Sequence, residues 1–134
     1  MNILGVSALY HDSAAALVQD GEIIAAAYLA DRGYQILDKK VRASFGELDL
    51  VARDKNEIVF VEVKTRSGAT FGRPEEAVGA IKQKQMYRLA QWYLQKNKLL
   101  KMNARFDVIA IFYDGVGEPK IRHIPNAFDV PDSF

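Results

Sequence analysis

The stretch Arg105–Tyr113 is apolar on both faces of an extended chain, and no other feature constrains this sequence as strongly. A strand with two dry faces must be covered on both, so it reads as a central strand of a layered α/β domain. The segments around it fit that frame. Glu57–Arg66 is a strong strand, rich in Ile58, Val59, Phe60, Val61 and Val63. Tyr34–Ala43 and Gly46–Arg53 read as further strands, and Lys120–Ile124 as a short last one. Pro74, followed by Glu75 and Glu76, suits a first helical turn, and that helix is expected to run to about Asn97. Val78, Ile81, Leu89, Trp92 and Tyr93 form its apolar stripe. Glu22–Arg32 reads as a helix closed by Gly33. The competing reading there is a hairpin, with Ala14–Val18 pairing against Glu22–Ala27 across Gln19-Asp20-Gly21.

The 134 residues suffice for one ordinary domain without staples. Cysteine is absent, which excludes a disulfide scaffold, a thiolate metal site and a cysteine nucleophile. The two histidines, His11 and His123, are too far apart in sequence to suggest a histidine metal site. The longest apolar run, Ile23–Ala30, has eight residues, against the roughly 20 that cross a bilayer. Met1–Tyr10 lacks the basic region of a secretory signal. The expectation is a cytoplasmic protein with no membrane partner. Its formal charge of +1 hides a strong asymmetry. Lys64–Arg105 holds ten basic residues and two acids, a segment of +8, so the remainder carries −7. Such a basic block can face phosphate, or it can be a solvated helix face.

The candidate chemistry lies on two strands. Alternate residues of a strand share a face, so Glu47 and Asp49 point one way and Leu48 and Leu50 into the other layer. Glu62 and Lys64 likewise share a face. The tight turn Asp54-Lys55-Asn56 makes the two strands antiparallel and sets Asp49 beside Glu62. Adjacent carboxylates repel unless a proton or cation intervenes. A hard divalent ion such as Mg²⁺ or Mn²⁺ meets that need with oxygen ligands. An ammonium on the same face, Lys64, can orient a water or stabilise charge building on a phosphate. Taken alone, Asp…Glu-x-Lys is also what a solvated strand edge carries. On the long helix, Gln83 and Tyr87 share a face, with Lys82, Lys84 and Arg88 nearby.

Gly46-Glu-Leu-Asp-Leu-Val, Phe60-Val-Glu-Val-Lys-Thr-Arg66, Phe71-Gly-x-Pro-x-Glu-Ala-Val78, Lys82-Gln83 and Arg105-Phe-Asp-Val108 together resemble the small bacterial YraN family. Gly21-Glu22-x-x-Ala25-x-x-Tyr28-Leu29 and Gly33-Tyr34 join the resemblance, which spans about residues 21 to 128. It implies the PD-(D/E)xK superfamily: a restriction-endonuclease-like core, a mixed central β-sheet flanked by helices, similar to Holliday junction resolvases. By that resemblance Glu22 is the first-helix acid, Asp49 and Glu62 bind the metal with the Val63 carbonyl, Lys64 is the catalytic lysine, and Gln83 and Tyr87 are the helix motif. Arg66, Lys82, Lys84, Tyr87 and Arg88 would hold nucleic acid. The expected activity is metal-dependent endonuclease cleavage of branched or flapped DNA, by a possible homodimer. The alternative is an inactive nucleic-acid-binding module that keeps the fold.

Residues 1–20 form an atypical segment ahead of the endonuclease-like domain, 21–134. Met1–Gly21 is similar to the opening of nodulation-type O-carbamoyltransferases, which begins an actin-like ATPase fold. The chain changes character too early to complete such a site, so a carbamoyltransferase or ATP-binding reading is the weakest of the three. Three adjacent residues, His11-Asp12-Ser13, do not converge as nucleophile, base and orienter.

Overall fold

A computed structural model describes residues 21–67 and 78–129. The elements run α1 (Gly21–Asp31), β1 (Gln35–Ala43), β2 (Gly46–Asp54), β3 (Glu57–Ser67), α2 (Ala80–Lys96), β4 (Asn103–Tyr113) and β5 (Lys120–Ile124). The strands form one sheet in the order β1-β2-β3-β4-β5. β1 to β3 meander antiparallel, β3 and β4 are parallel, and β5 returns antiparallel to β4. A parallel pair cannot be closed by a tight turn, and the chain from β3 to β4 crosses over through α2. The sheet is therefore mixed, as expected.

The pleat sends alternate side chains into two apolar layers. Val59, Val61, Ile109 and Ile111 pack with Ile24, Ala25 and Leu29 of α1. Ile58, Phe60, Phe106 and Val108 pack with Met86, Leu89, Ala90, Tyr93 and Leu94 of α2. Phe106 through Tyr113 are all buried, in keeping with a central β4 covered on both faces. Residues 22–27 are helical, which removes the hairpin reading; its other half, Ala14–Val18, and His11-Asp12-Ser13 lie outside the described residues. So do Pro74, Glu75 and Glu76, while the described helix begins at Ala80.

Two packing expectations are corrected. Ile81 is 87% exposed, because the buried stripe of α2 is centred on Met86, Leu89, Ala90 and Tyr93 and Ile81 falls on the opposite side of the helix. Leu48 and Leu50 do not share a layer: Leu48 packs with α2 and Leu50 with α1. The reason lies in β1. Lys40 takes a left-handed conformation, φ 50°. It falls opposite Asp49, between the pairs Lys39↔Leu50 and Val41↔Leu48. Regular alternation is broken at that point of the ribbon.

Gly21 seats α1 on the sheet. A Cβ there would lie 2.7 Å from Cγ2 of Thr65 and 3.5 Å from Cγ1 of Val63. Gly21→Ala is expected to lift the start of α1 from β3 and lower unfolding free energy by about 1–3 kcal/mol, measured by urea denaturation. An unchanged midpoint would show that the contact yields without cost.

Candidate active site

The β2–β3 hairpin brings the two predicted carboxylates together. The antiparallel register runs from Asp54↔Glu57 to Leu50↔Val61, so Asp49 and Glu62 are the next residues along it. Asp49 Oδ2 accepts a hydrogen bond from the Val63 N–H at 2.8 Å. Glu62 is buried, with 6% of its surface exposed. The Glu62 carboxylate lies near enough to act on the charge of Asp49. Burial first, and the Glu62 charge second, push the Asp49 carboxyl up to about 7, against the Val63 N–H and the Lys82 charge. Glu62 Oε2 is buried with no hydrogen-bond partner.

Two ammonium groups face Glu62. Lys64 Nζ is 3.7 Å from Oε1, and Lys82 Nζ is 3.5 Å from Oε2. Lys64 reaches it along its own strand, whereas Lys82 comes from the first turn of α2, which covers the same face of the sheet. The sequence pattern suggests phosphate as the partner of Lys82; the structure sets it against the Glu62 carboxylate. The i, i+2 spacing revealed Lys64, but no sequence periodicity connects a helix residue to a strand residue twenty positions earlier.

Glu22 lies on α1, whose first residue abuts Val63 and Thr65. Its carboxylate pairs with Lys40 Nζ at 3.0 Å. α1 covers the Val59, Val61 and Val63 face of β3, whereas alternation turns Glu62 and Lys64 to the α2 face with Phe60, so the Glu22–Lys40 pair lies across the sheet from Glu62. Sequence reasoning passed over Lys40; only its positive φ, invisible in the residue order, marks it. Gln83 Nε2 donates to the Val78 carbonyl at 2.9 Å, which holds it within the start of its own helix. Tyr87 donates its hydroxyl to the Asp129 carbonyl, and its ring packs on Phe106 and Phe128. The Gln83–Tyr87 pair therefore braces α2 against the chain after β5, and these contacts do not direct it to Asp49. Arg66, Lys84 and Arg88 are exposed. Glu47 is tied to Arg42 at 3.1 Å, away from the carboxylate pair.

A second polar cluster, half-buried around fully buried Asp107, lies on the α1 side. Arg105 reaches Asp107 at 3.0 Å, Glu57 at 2.9 Å and Asp54 at 3.2 Å, and donates to the Tyr34 hydroxyl at 2.7 Å. Asp107, fully buried, also meets His123 Nε2 at 2.7 Å and the Asn126 N–H at 2.9 Å. The sequence contains these residues in plain view, yet nothing in their spacing predicted their convergence.

Fold and site together define the class: an α/β protein with a restriction-endonuclease-like core, carrying a carboxylate pair and a lysine on neighbouring strands. Comparison with known sequences resolves the particular family. Residues 21–111 match the uncharacterised protein family UPF0102, the YraN family, and the chain belongs to it. It is 54% identical over 110 residues to the UPF0102 protein of Syntrophotalea carbinolica, covering 82% of this chain and 89% of that one. It is 48% identical to the UPF0102 protein of Trichlorobacter lovleyi, over 82% of this chain and 87% of the relative. The relative from Anaeromyxobacter dehalogenans is 44% identical, over 88% and 87%. Among the described residues, no helix is long and apolar enough to cross a membrane.

Proposed function

We propose that this protein is a metal-dependent DNA endonuclease acting on branched or flapped substrates. The observation that carries the reading is the Asp49–Glu62 pair: a buried and a half-buried carboxylate set together, the Asp49 carboxyl raised by burial and by the Glu62 charge, and Glu62 Oε2 met by no hydrogen-bond donor, only by the Lys82 charge at 3.5 Å. Neighbouring carboxylates repel, and a divalent cation between them would offset that repulsion beyond what the Lys64 and Lys82 ammonium groups at Glu62 supply. Among the described residues no group of three or more histidine, aspartate or glutamate side chains is placed to hold a metal ion. Two carboxylates plus a backbone carbonyl still suit Mg²⁺ or Mn²⁺, which complete their shell with water and phosphate oxygens. Asp49 and Glu62 would hold the ion, with the Val63 carbonyl as third oxygen. Bound there, it would supply Lewis-acid polarisation of a phosphodiester.

The chain's own residues then divide the work. Lys64, on the same face as Glu62, lends positive charge to the phosphate under attack and orients the water. Lys82, released from Glu62 when that charge is otherwise met, becomes free to pair with a phosphate oxygen. Exposed Arg66, Lys84 and Arg88 hold the backbone without reading sequence.

The test is incubation of the protein with a plasmid, a synthetic four-way junction and a flap substrate, in Mg²⁺, Mn²⁺ or EDTA. Cleavage is expected with metal only, and Lys64→Ala is expected to lower it by about 10²–10³. Tight, salt-sensitive binding with no products under any metal would replace this reading with the inactive binding module.

A further inference from the structure

The outer face of α2 carries a pattern that the carboxylate site does not use. The helix holds Lys82, Lys84, Arg88 and Lys96 and no acid. Lys82 is engaged with Glu62. From Lys84 onward, Arg88, Trp92 and Lys96 follow at four-residue steps, which places them side by side along about 18 Å of one slowly winding face. The three cations are exposed and Trp92 is half-buried. No salt bridge among the described residues engages any of the three cations. Instead, two of them lie over rings: the Arg88 guanidinium is 4.4 Å from the Phe45 ring centre, and Lys96 Nζ is 4.8 Å from that of Trp92.

Phe45 is tied to α2 through its backbone. It sits in the turn between β1 and β2, and its carbonyl accepts a hydrogen bond from Gln85 of α2 at 3.0 Å. The next residue, Gly46, lies so close to α2 that a Cβ would come within 2.9 Å of Gln85 and 3.0 Å of Leu89. The turn is thereby clamped onto the helix, with the exposed Arg88 guanidinium lying over the Phe45 ring.

We propose that this face binds a single-stranded nucleic-acid segment, with a base stacked on the outer plane of Arg88, a neighbouring base against Trp92, and phosphates paired with Lys84 and Lys96. Alternating cations and aromatic planes are what such segments require: charge tracks the backbone, and flat groups accept unstacked bases of any sequence. A duplex keeps its bases stacked inside and would use the cations alone. An acidic peptide likewise has no need of the rings. The proposal rests on the nuclease reading only in taking the bound strand as the unpaired arm of the substrate.

Trp92 is the sole tryptophan of the chain, so its emission reports on this face alone. The full protein is titrated in EDTA with an oligothymidylate of about 16 nucleotides, with a blunt duplex of equal length and with polyglutamate. Oligothymidylate is expected to quench Trp92, and the duplex and polyglutamate to leave it nearly unchanged. By anisotropy of a labelled strand, Arg88→Ala is expected to weaken binding about tenfold. An exposed residue such as Arg88 can be replaced without loss of the fold. Binding without quenching, equal quenching by polyglutamate, or unchanged affinity of Arg88→Ala would overturn the proposal. Because the titration needs no metal, quenching by a protein that never cleaves would sink the nuclease reading alone. Cleavage by a protein whose Trp92 ignores the strand would sink only this one.

Discussion

Glu62→Gln is expected to abolish cleavage while making the folded protein more stable. The amide keeps the size and shape of the carboxylate. It removes the buried one of two like charges that the fold sets together, Glu62 beside half-buried Asp49. Activity should fall by at least about 10²–10³, since a neutral oxygen is a poor ligand for a hard divalent ion and leaves less charge to be balanced at the phosphate. Stability should rise by about 1 kcal/mol, seen as an increase of about 4 °C in thermal midpoint without metal. The two readouts oppose each other by design. A variant that lost activity through misfolding would lose stability too. If Glu62→Gln lowered the midpoint, the ion pairs with Lys64 and Lys82 would outweigh the repulsion, and the carboxylate pair would be a structural feature. If it cut DNA as well as the parent, the site would lie elsewhere.

The contrast between this site and the rest of the molecule shows what residue order can convey. Asp49 and Glu62 could be placed together because a tight turn fixes the register of an antiparallel pair, and register fixes neighbours. The strands themselves were legible for the same reason: burial on a pleated surface demands β-branched and aromatic residues at short range. Leu48 failed the alternation rule because Lys40, on the partner strand, leaves the extended region opposite Asp49. Ile81 failed because a helix pattern read across Val78 and Ile81 took in a residue ahead of the true stripe. Lys82, Lys40 and the cluster around Arg105 share a different obstacle. Each acts between separate elements, helix to strand or strand to strand, where no local period links the partners. The resemblance to nuclease motifs supplied residue roles, but Gln83 bonded to Val78 shows that a motif position and an engaged side chain are separate matters.

Removing Arg105 should produce the largest loss of stability in the molecule. Its guanidinium is shared by Asp107, Glu57 and Asp54, which come from β4, β3 and β2, and by the Tyr34 hydroxyl ahead of β1. One planar fork thus ties together one end of four strands. Arg105→Met fills similar volume but leaves fully buried Asp107 without its cation. The expected cost is about 3–5 kcal/mol, the range for stripping one partner from a buried charge network, or about 10 °C or more in midpoint. Arg105→Lys should recover little, because a single ammonium cannot reproduce the fork. The pH dependence separates this cause from simple packing loss. Burial alone would raise the Asp107 carboxyl, but the bonds from His123, Arg105 and the Asn126 N–H overcome it and hold the group below the usual carboxylate range. Its contribution is therefore complete above the unfolded value, about 3.9, and disappears as pH falls through the lower folded value. In Arg105→Met that depression is weakened, so acid costs the variant less than it costs the parent. The gap between the two midpoints should narrow from pH 7 toward pH 3. A gap that stays constant across that range would mean the guanidinium acts through its packed stem, and the charge network would carry no part of the stability.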